Sequence, residues 1–196
     1  MTRLPQSICR AATLLLLVLS AKAAHAQLFV GADAGLSILN QEGHAPPICC
    51  GERDSWSAPG GRVGGRLGYR LTGWLFARLD AGVALHHVNP SGDLQLRLVS
   101  PDLAFMVGAQ AGSERLKVDF AVGGGRRWFS GSVTSNQLSS ENRDIDVSAY
   151  DVRLSLGVHR ILDGGHRLGA DLTLAKVMIA ENVVMLSLVY TWSAPG

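Results

Sequence analysis

The sequence is poor in the residues that usually announce chemistry. Among 196 residues there are only three cysteines and six histidines, and just 17% are charged. No apolar run approaches the roughly 20 residues a spanning helix needs. The longest, in "AATLLLLVLSA", is about half that length, follows Arg3 and Arg10, and leads to the small-x-small site "AHA" at Ala24–Ala26. That pattern is a secretory signal peptide over 1–26, with cleavage before Gln27. Loss of Arg3, Arg10 and Lys22 takes the formal net charge from +2 to −1. A nucleic-acid binder would keep a basic surplus on its own domain, so that class is excluded.

With Cys9 in the leader, Cys49 and Cys50 remain, too few for a disulfide scaffold. Their loop, "ICCGERD" with His44 upstream, matches no standard zinc spacing. In an oxidising compartment a disulfide between the adjacent Cys49 and Cys50, or a crosslink to a partner, is favoured over a metal site. The glycine run "GGGRR" (123–127) lacks the lysine–serine ending and the helix of a phosphate loop, so it is read as a strand bulge or tight bend. No metal or cofactor is expected.

What the mature chain does have is glycine (23 in the whole sequence) and alternation with period 2. Leu28, Val30, Ala32, Ala34 and Leu36 oppose Phe29, Gly31, Asp33, Gly35 and Ser37. Val63, Leu67, Tyr69 and Leu71 oppose Arg62, Gly64, Arg66, Gly68 and Arg70. The same two-set pattern recurs to the C-terminus and predicts eight strands. Tight turns are expected near Thr72–Gly73, Gly112–Glu114 and Asp163–Gly165, and four mostly longer loops at about 39–60, 88–93, 130–145 and 176–182. Short turns at one rim and longer loops at the other describe an all-β, antiparallel, up-and-down transmembrane barrel over 27–196. Pro101 is expected at a bulge or beyond the membrane band.

The two faces settle which side meets lipid. One set is apolar and nearly free of charge. The other mixes glycine, alanine and serine with charges of both signs, which fits the crowded interior of an eight-stranded barrel. It carries Arg62, Arg66, Arg70, Arg78, Lys117, Arg153 and Arg167 against Asp33, Asp80, Asp119, Asp151 and Asp171. Shut-in charges must be paired, so these are expected to meet across neighbouring strands and plug the lumen. Tyr69, Tyr190 and Trp192 near the tight turns, and Trp128 and Tyr150 toward the long loops, suit the two interfacial girdles. Arg126 has lipid-face parity beside the third loop, where it would meet either lipopolysaccharide phosphate or water.

Over about 27–192 the chain resembles the small eight-stranded outer-membrane barrels of Gram-negative bacteria: the OmpA transmembrane domain and OmpX- or OmpW-like proteins. In that family the last strand alternates apolar residues and ends in an aromatic that the barrel-assembly machinery reads. Leu186, Leu188, Tyr190 and Trp192 of "VVMLSLVYTW" match this signal, although "SAPG" follows the aromatic here. The resemblance implies an outer-membrane location reached through the periplasm, lipid and lipopolysaccharide as neighbours, and a monomer without cofactor. It implies a structural or surface-interaction role. The alternatives are a narrow channel for small or apolar solutes, as in OmpW-like proteins, and an enzyme acting on lipid A. A PagL-like deacylase needs a His-x-Ser pair. "HHVN" (His86–Asn89) places asparagine at the serine position, and neither His159 nor His166 has such a serine. No catalytic residue is therefore assigned.

Overall fold

A computed structural model describes residues 27–41, 56–91, 94–135, 143–177 and 181–193. They form eight strands: β1 (Gln27–Gln41), β2 (Trp56–Arg70), β3 (Leu75–Ser91), β4 (Leu94–Gly112), β5 (Leu116–Ser135), β6 (Arg143–Ile161), β7 (His166–Val177) and β8 (Glu181–Ser193). Each pairs antiparallel with the next, and β1 closes on β8 from Phe29↔Ser193 to Gln41↔Glu181. Closure leaves no strand edge, which satisfies the backbone in lipid.

Parity works as a radial code because successive side chains point to opposite faces. Leu36 and Val63 on the outer wall are each 64% exposed, whereas Arg62, next to Val63 in the chain, is 6% exposed and faces the lumen. An apolar outside around a charged inside is the arrangement of a barrel solvated by lipid.

The three tight turns fall where expected. Thr72 Oγ1 accepts from the amides of Trp74 and Leu75 at 3.3 and 3.0 Å in the β2–β3 turn. Ser113 Oγ accepts from the Leu116 amide at 3.2 Å in the β4–β5 turn. The β6–β7 turn is a single 3₁₀ turn, Asp163–Gly165, where Gly164 (φ 72°) and Gly165 (φ 81°) take the left-handed conformation.

The strands at the other rim run further than expected. β1 reaches Gln41 and β2 starts at Trp56. "NPS" of the expected 88–93 loop continues β3, with a register shift between Val88 and Ser91. β5 runs to Ser135, β6 starts at Arg143, β7 ends at Val177 and β8 starts at Glu181. Above the bilayer both faces of a hairpin see water, so polar residues do not end strand pairing there. Pro101 sits within β4 opposite Val83. The β4–β5 ladder lapses at Ser100–Pro101 without a slip, since Val99↔Ser130 and Asp102↔Arg127 keep one register. Pro101 is therefore at no bulge, and its missing N–H accounts for a gap in a ladder.

The run at 123–127 also keeps register with β4, so it is no bulge. Its glycines serve close approach: a Cβ on Gly123 would meet the Phe105 carbonyl and stand 2.7 Å from Met106 Sδ. Gly35 plays that role at the closing seam, where a Cβ would meet the Leu186 carbonyl and come within 2.6 Å of Ser187 Cα. Gly35→Val is therefore expected to obstruct β1–β8 closure. On a detergent gel, the fraction of unboiled protein migrating as the compact folded band should fall severalfold relative to wild type.

Candidate functional site in the barrel lumen

The lumen is built in layers. Toward the tight-turn rim, Phe29 and Phe76 meet edge to face at 6.4 Å, and the Arg70 and Arg78 guanidiniums lie over them at 5.3 and 5.7 Å. Such contacts shield part of a cation's charge without a carboxylate. Arg70 Nη1 donates to Gln27 Oε1 at 3.2 Å, and Arg167 Nη1 to Gln110 Oε1 at 2.9 Å.

The next layer centres on Asp171. Arg66 Nη1 donates to its Oδ2 at 2.6 Å, Arg78 Nη1 lies 3.8 Å from the same oxygen, and His159 Nε2 lies 2.9 Å from Oδ1. Arg78 Nε donates to Asp80 Oδ2 at 3.0 Å, and its Nη2 to Ser155 Oγ at 3.2 Å. Asp119 touches this layer at its edge, 3.5 Å from His159 Nε2.

Above it, Asp102 is the common partner of three arginines. Arg153 Nη1 donates to Oδ1 at 2.6 Å, and Arg62 straddles both oxygens at 3.3 and 3.4 Å. Arg127 Nη2 stands 3.8 Å from Oδ2. Arg153 also forks onto Asp151 at 2.9 and 2.8 Å, and Arg62 pairs with Asp33. A planar guanidinium can hold two carboxylates at once, so arginine suits a network whose members must all be paired. Gly64 and Gly82 make the room: a Cβ on Gly82 would collide with the Arg62 guanidinium, and one on Gly64 would stand 2.8 Å from Arg62 Nη1.

A fourth layer fills the long-loop end and is apolar. Leu39, Leu98, Phe129, Val177, Val183 and Met185 turn inward and pack as one buried cluster.

All eleven expected lumen residues other than Lys117 face inward here: Arg62, Arg66, Arg70, Arg78, Arg153, Arg167, Asp33, Asp80, Asp119, Asp151 and Asp171. Lys117 shares their parity and is half-buried at the rim. Their partners meet the expectation of neighbouring strands in part, as with Arg62 on β2 and Asp33 on β1, and depart from it elsewhere. Arg78–Asp80 and Arg153–Asp151 are two residues apart on one strand, while Arg66 on β2 reaches Asp171 on β7 across the lumen. Register along a sheet does not reveal reach across a narrow barrel. Two central members were not anticipated, Asp102 and the fully buried Arg127. Parity alone places both inward. Asp102 hides beside Pro101, and Arg127 hides beside the outward Arg126. His86 also turns inward, its Nδ1 3.1 Å from the Ala58 carbonyl, while His87 is exposed outside.

On the outer wall, Arg126 Nη2 donates to Ser148 Oγ at 2.8 Å, and its guanidinium lies 5.4 Å from the Trp128 ring and 5.7 Å from the Tyr150 ring. Leu186, Leu188, Tyr190 and Trp192 all face outward on β8. Cys49 and Cys50 lie outside the described residues, as does the 1–26 segment. Among the described residues no three His, Cys, Asp or Glu side chains gather as a metal site.

Removing one partner from a buried ion pair costs about 3–5 kcal/mol because the other charge stays shut in. Asp102→Asn takes a shared carboxylate from three arginines, leaving them only Asp33 and Asp151, and should destabilise the barrel by about that amount, read as the urea midpoint of unfolding in lipid vesicles. Arg66→Leu should cost about as much, and less when Asp171→Leu is added.

No family model matches the sequence, and no curated protein matches it. Solved structures do. The outer membrane protein OprG from Pseudomonas aeruginosa superposes with a TM-score of 0.53 at 12% identity, over 87% of this chain and 97% of that one. A major outer membrane protein from Thermus thermophilus gives 0.54 at 16% identity, over 86% and 99%. Ail, the attachment invasion locus protein of Yersinia pestis, gives 0.51 at 10% identity, over 84% and 97%. Likeness at such identities speaks for the fold, and the apolar outer wall speaks for the surroundings. The chain has the closed eight-stranded fold of the small outer-membrane β-barrels, and its apolar wall is built to sit in a lipid bilayer.

Proposed function

We propose that the protein is a structural barrel of the outer membrane, closed to solutes, which makes its contacts through its outer wall and extracellular loops. The observation that carries this reading is the buried layer around Asp102. Arg62, Arg127 and Arg153 with Asp102 and Asp151 are all buried, and they occupy the middle of the lumen. A conducting path would have to pull these pairs apart, and an isolated charge in so dry a place is costly.

Contact with the outer leaflet follows from Arg126. On a lipid-facing wall an arginine is expensive unless it reaches a polar group near the interface. Trp128 and Tyr150 hold its guanidinium at the extracellular girdle, where lipopolysaccharide phosphates would be its partners. Arg126→Ala should lower the lipopolysaccharide that copurifies with the folded barrel, measured as phosphate per protein. An unchanged ratio would remove Arg126 from this role.

An enzymatic reading finds little support in the histidines. His86 is shut inside the wall, and the His166 ring is engaged at 2.6 Å with the Tyr190 hydroxyl. Overexpression should leave the lipid A mass spectrum unchanged. A new acylation state would restore the enzyme.

One observation favours a second reading. The apolar upper layer, with Leu98, Phe129 and Met185 packed inward, would receive a small apolar solute if that packing opened. The ionic layers beneath would stop it from passing along the axis. Leu98→Asp should abolish binding of an apolar fluorophore if this reading holds. Wild-type protein that binds none excludes it.

A further inference from the structure

Charge balances through most of the lumen and fails at one end. Arg62, Arg66, Arg78, Arg127 and Arg153 share Asp33, Asp80, Asp102, Asp151 and Asp171, five charges against five. Toward the periplasmic mouth, Arg70 and Arg167 have Asp119 as their one carboxylate neighbour across a shared cavity. Among the described residues neither makes an ion pair. Each donates only to an amide oxygen, that of Gln27 or Gln110.

The two guanidiniums line a cavity of about 20 Å³. Arg66, Arg78, Gln110, Asp119, His159 and Thr191 complete its polar wall. Arg66 is itself 8% exposed, and its Nε, a buried donor, finds no acceptor in the protein. The volume is enough to hold at least one water-sized particle. With Arg66 assigned to Asp171 and Arg78 to Asp80, Arg70 and Arg167 against the one carboxylate Asp119 leave the site with surplus positive charge.

We propose that this cavity binds one small monovalent inorganic anion such as a halide, held by Arg70 and Arg167, which neutralises the periplasmic end of the lumen. Asp119 shares the cavity lining, 3.5 Å from His159, and limits the site to a single negative charge. Such an anion binds the folded barrel and not the unfolded chain, so it stabilises by mass action.

The test uses the full mature chain folded in detergent micelles. Chloride is titrated against gluconate at constant ionic strength, and the temperature at which the compact gel band is lost is recorded. The expected result is a midpoint that rises with chloride and levels off as the site fills. Arg167→Gln should remove that dependence while the protein still folds. Identical midpoints in chloride and gluconate, or a chloride dependence that survives in Arg167→Gln, would overturn the proposal. Wild-type crystals grown with bromide give an answer that does not need the variant. An anomalous peak between the Arg70 and Arg167 guanidiniums supports the anion, and water alone at that position refutes it.

Discussion

The structure depends on one constraint: a charge shut inside an eight-stranded barrel must find its opposite there. The lumen is too narrow to hydrate a guanidinium fully, and the lipid outside offers no escape. Asp102 shows how tightly this binds the design. One carboxylate serves arginines from β2, β5 and β6, so three strands beyond its own are tied to β4 through a single side chain. The backbone ladders close the wall, and the ion pairs fix what fills it.

Much else follows from making room for those pairs. Glycine is frequent on the lumen parity because a guanidinium lies where a side chain would stand, as at Gly64 and Gly82. The aromatic pair Phe29–Phe76 takes the faces of two arginines where carboxylates run short. Above the ionic layers the inward residues turn apolar, which keeps water from entering the network from the extracellular side. Outside, the same parity rule produces the opposite surface, so one alternating pattern encodes both lipid solubility and a charged core.

The period of two made the fold legible in the sequence, and the charge on one parity identified which face is the lumen. The tight turns were legible because Gly, Ser, Thr and Asp cluster there for backbone reasons. Strand ends at the other rim were not, since pairing continues where both faces are wet and the polar signature no longer marks a loop. The lumen residues could be read by parity, but their partners could not. Arg66 meets Asp171 from the far side of the sheet, a contact fixed by barrel radius and not by sequence distance. Asp102 and Arg127 were obscured by a neighbour on the opposite face, Pro101 and Arg126, that drew the eye to a different role. Close approach, not bending, explains the 123–125 glycines, and only the curvature of the closed sheet reveals it.

The central claim is that paired charges close the lumen. Conductance of the purified barrel in a planar lipid bilayer tests it most directly. The account predicts a silent membrane at steady voltage, with no unitary currents from correctly folded protein. Stable, reproducible single-channel currents from wild-type barrels would contradict it.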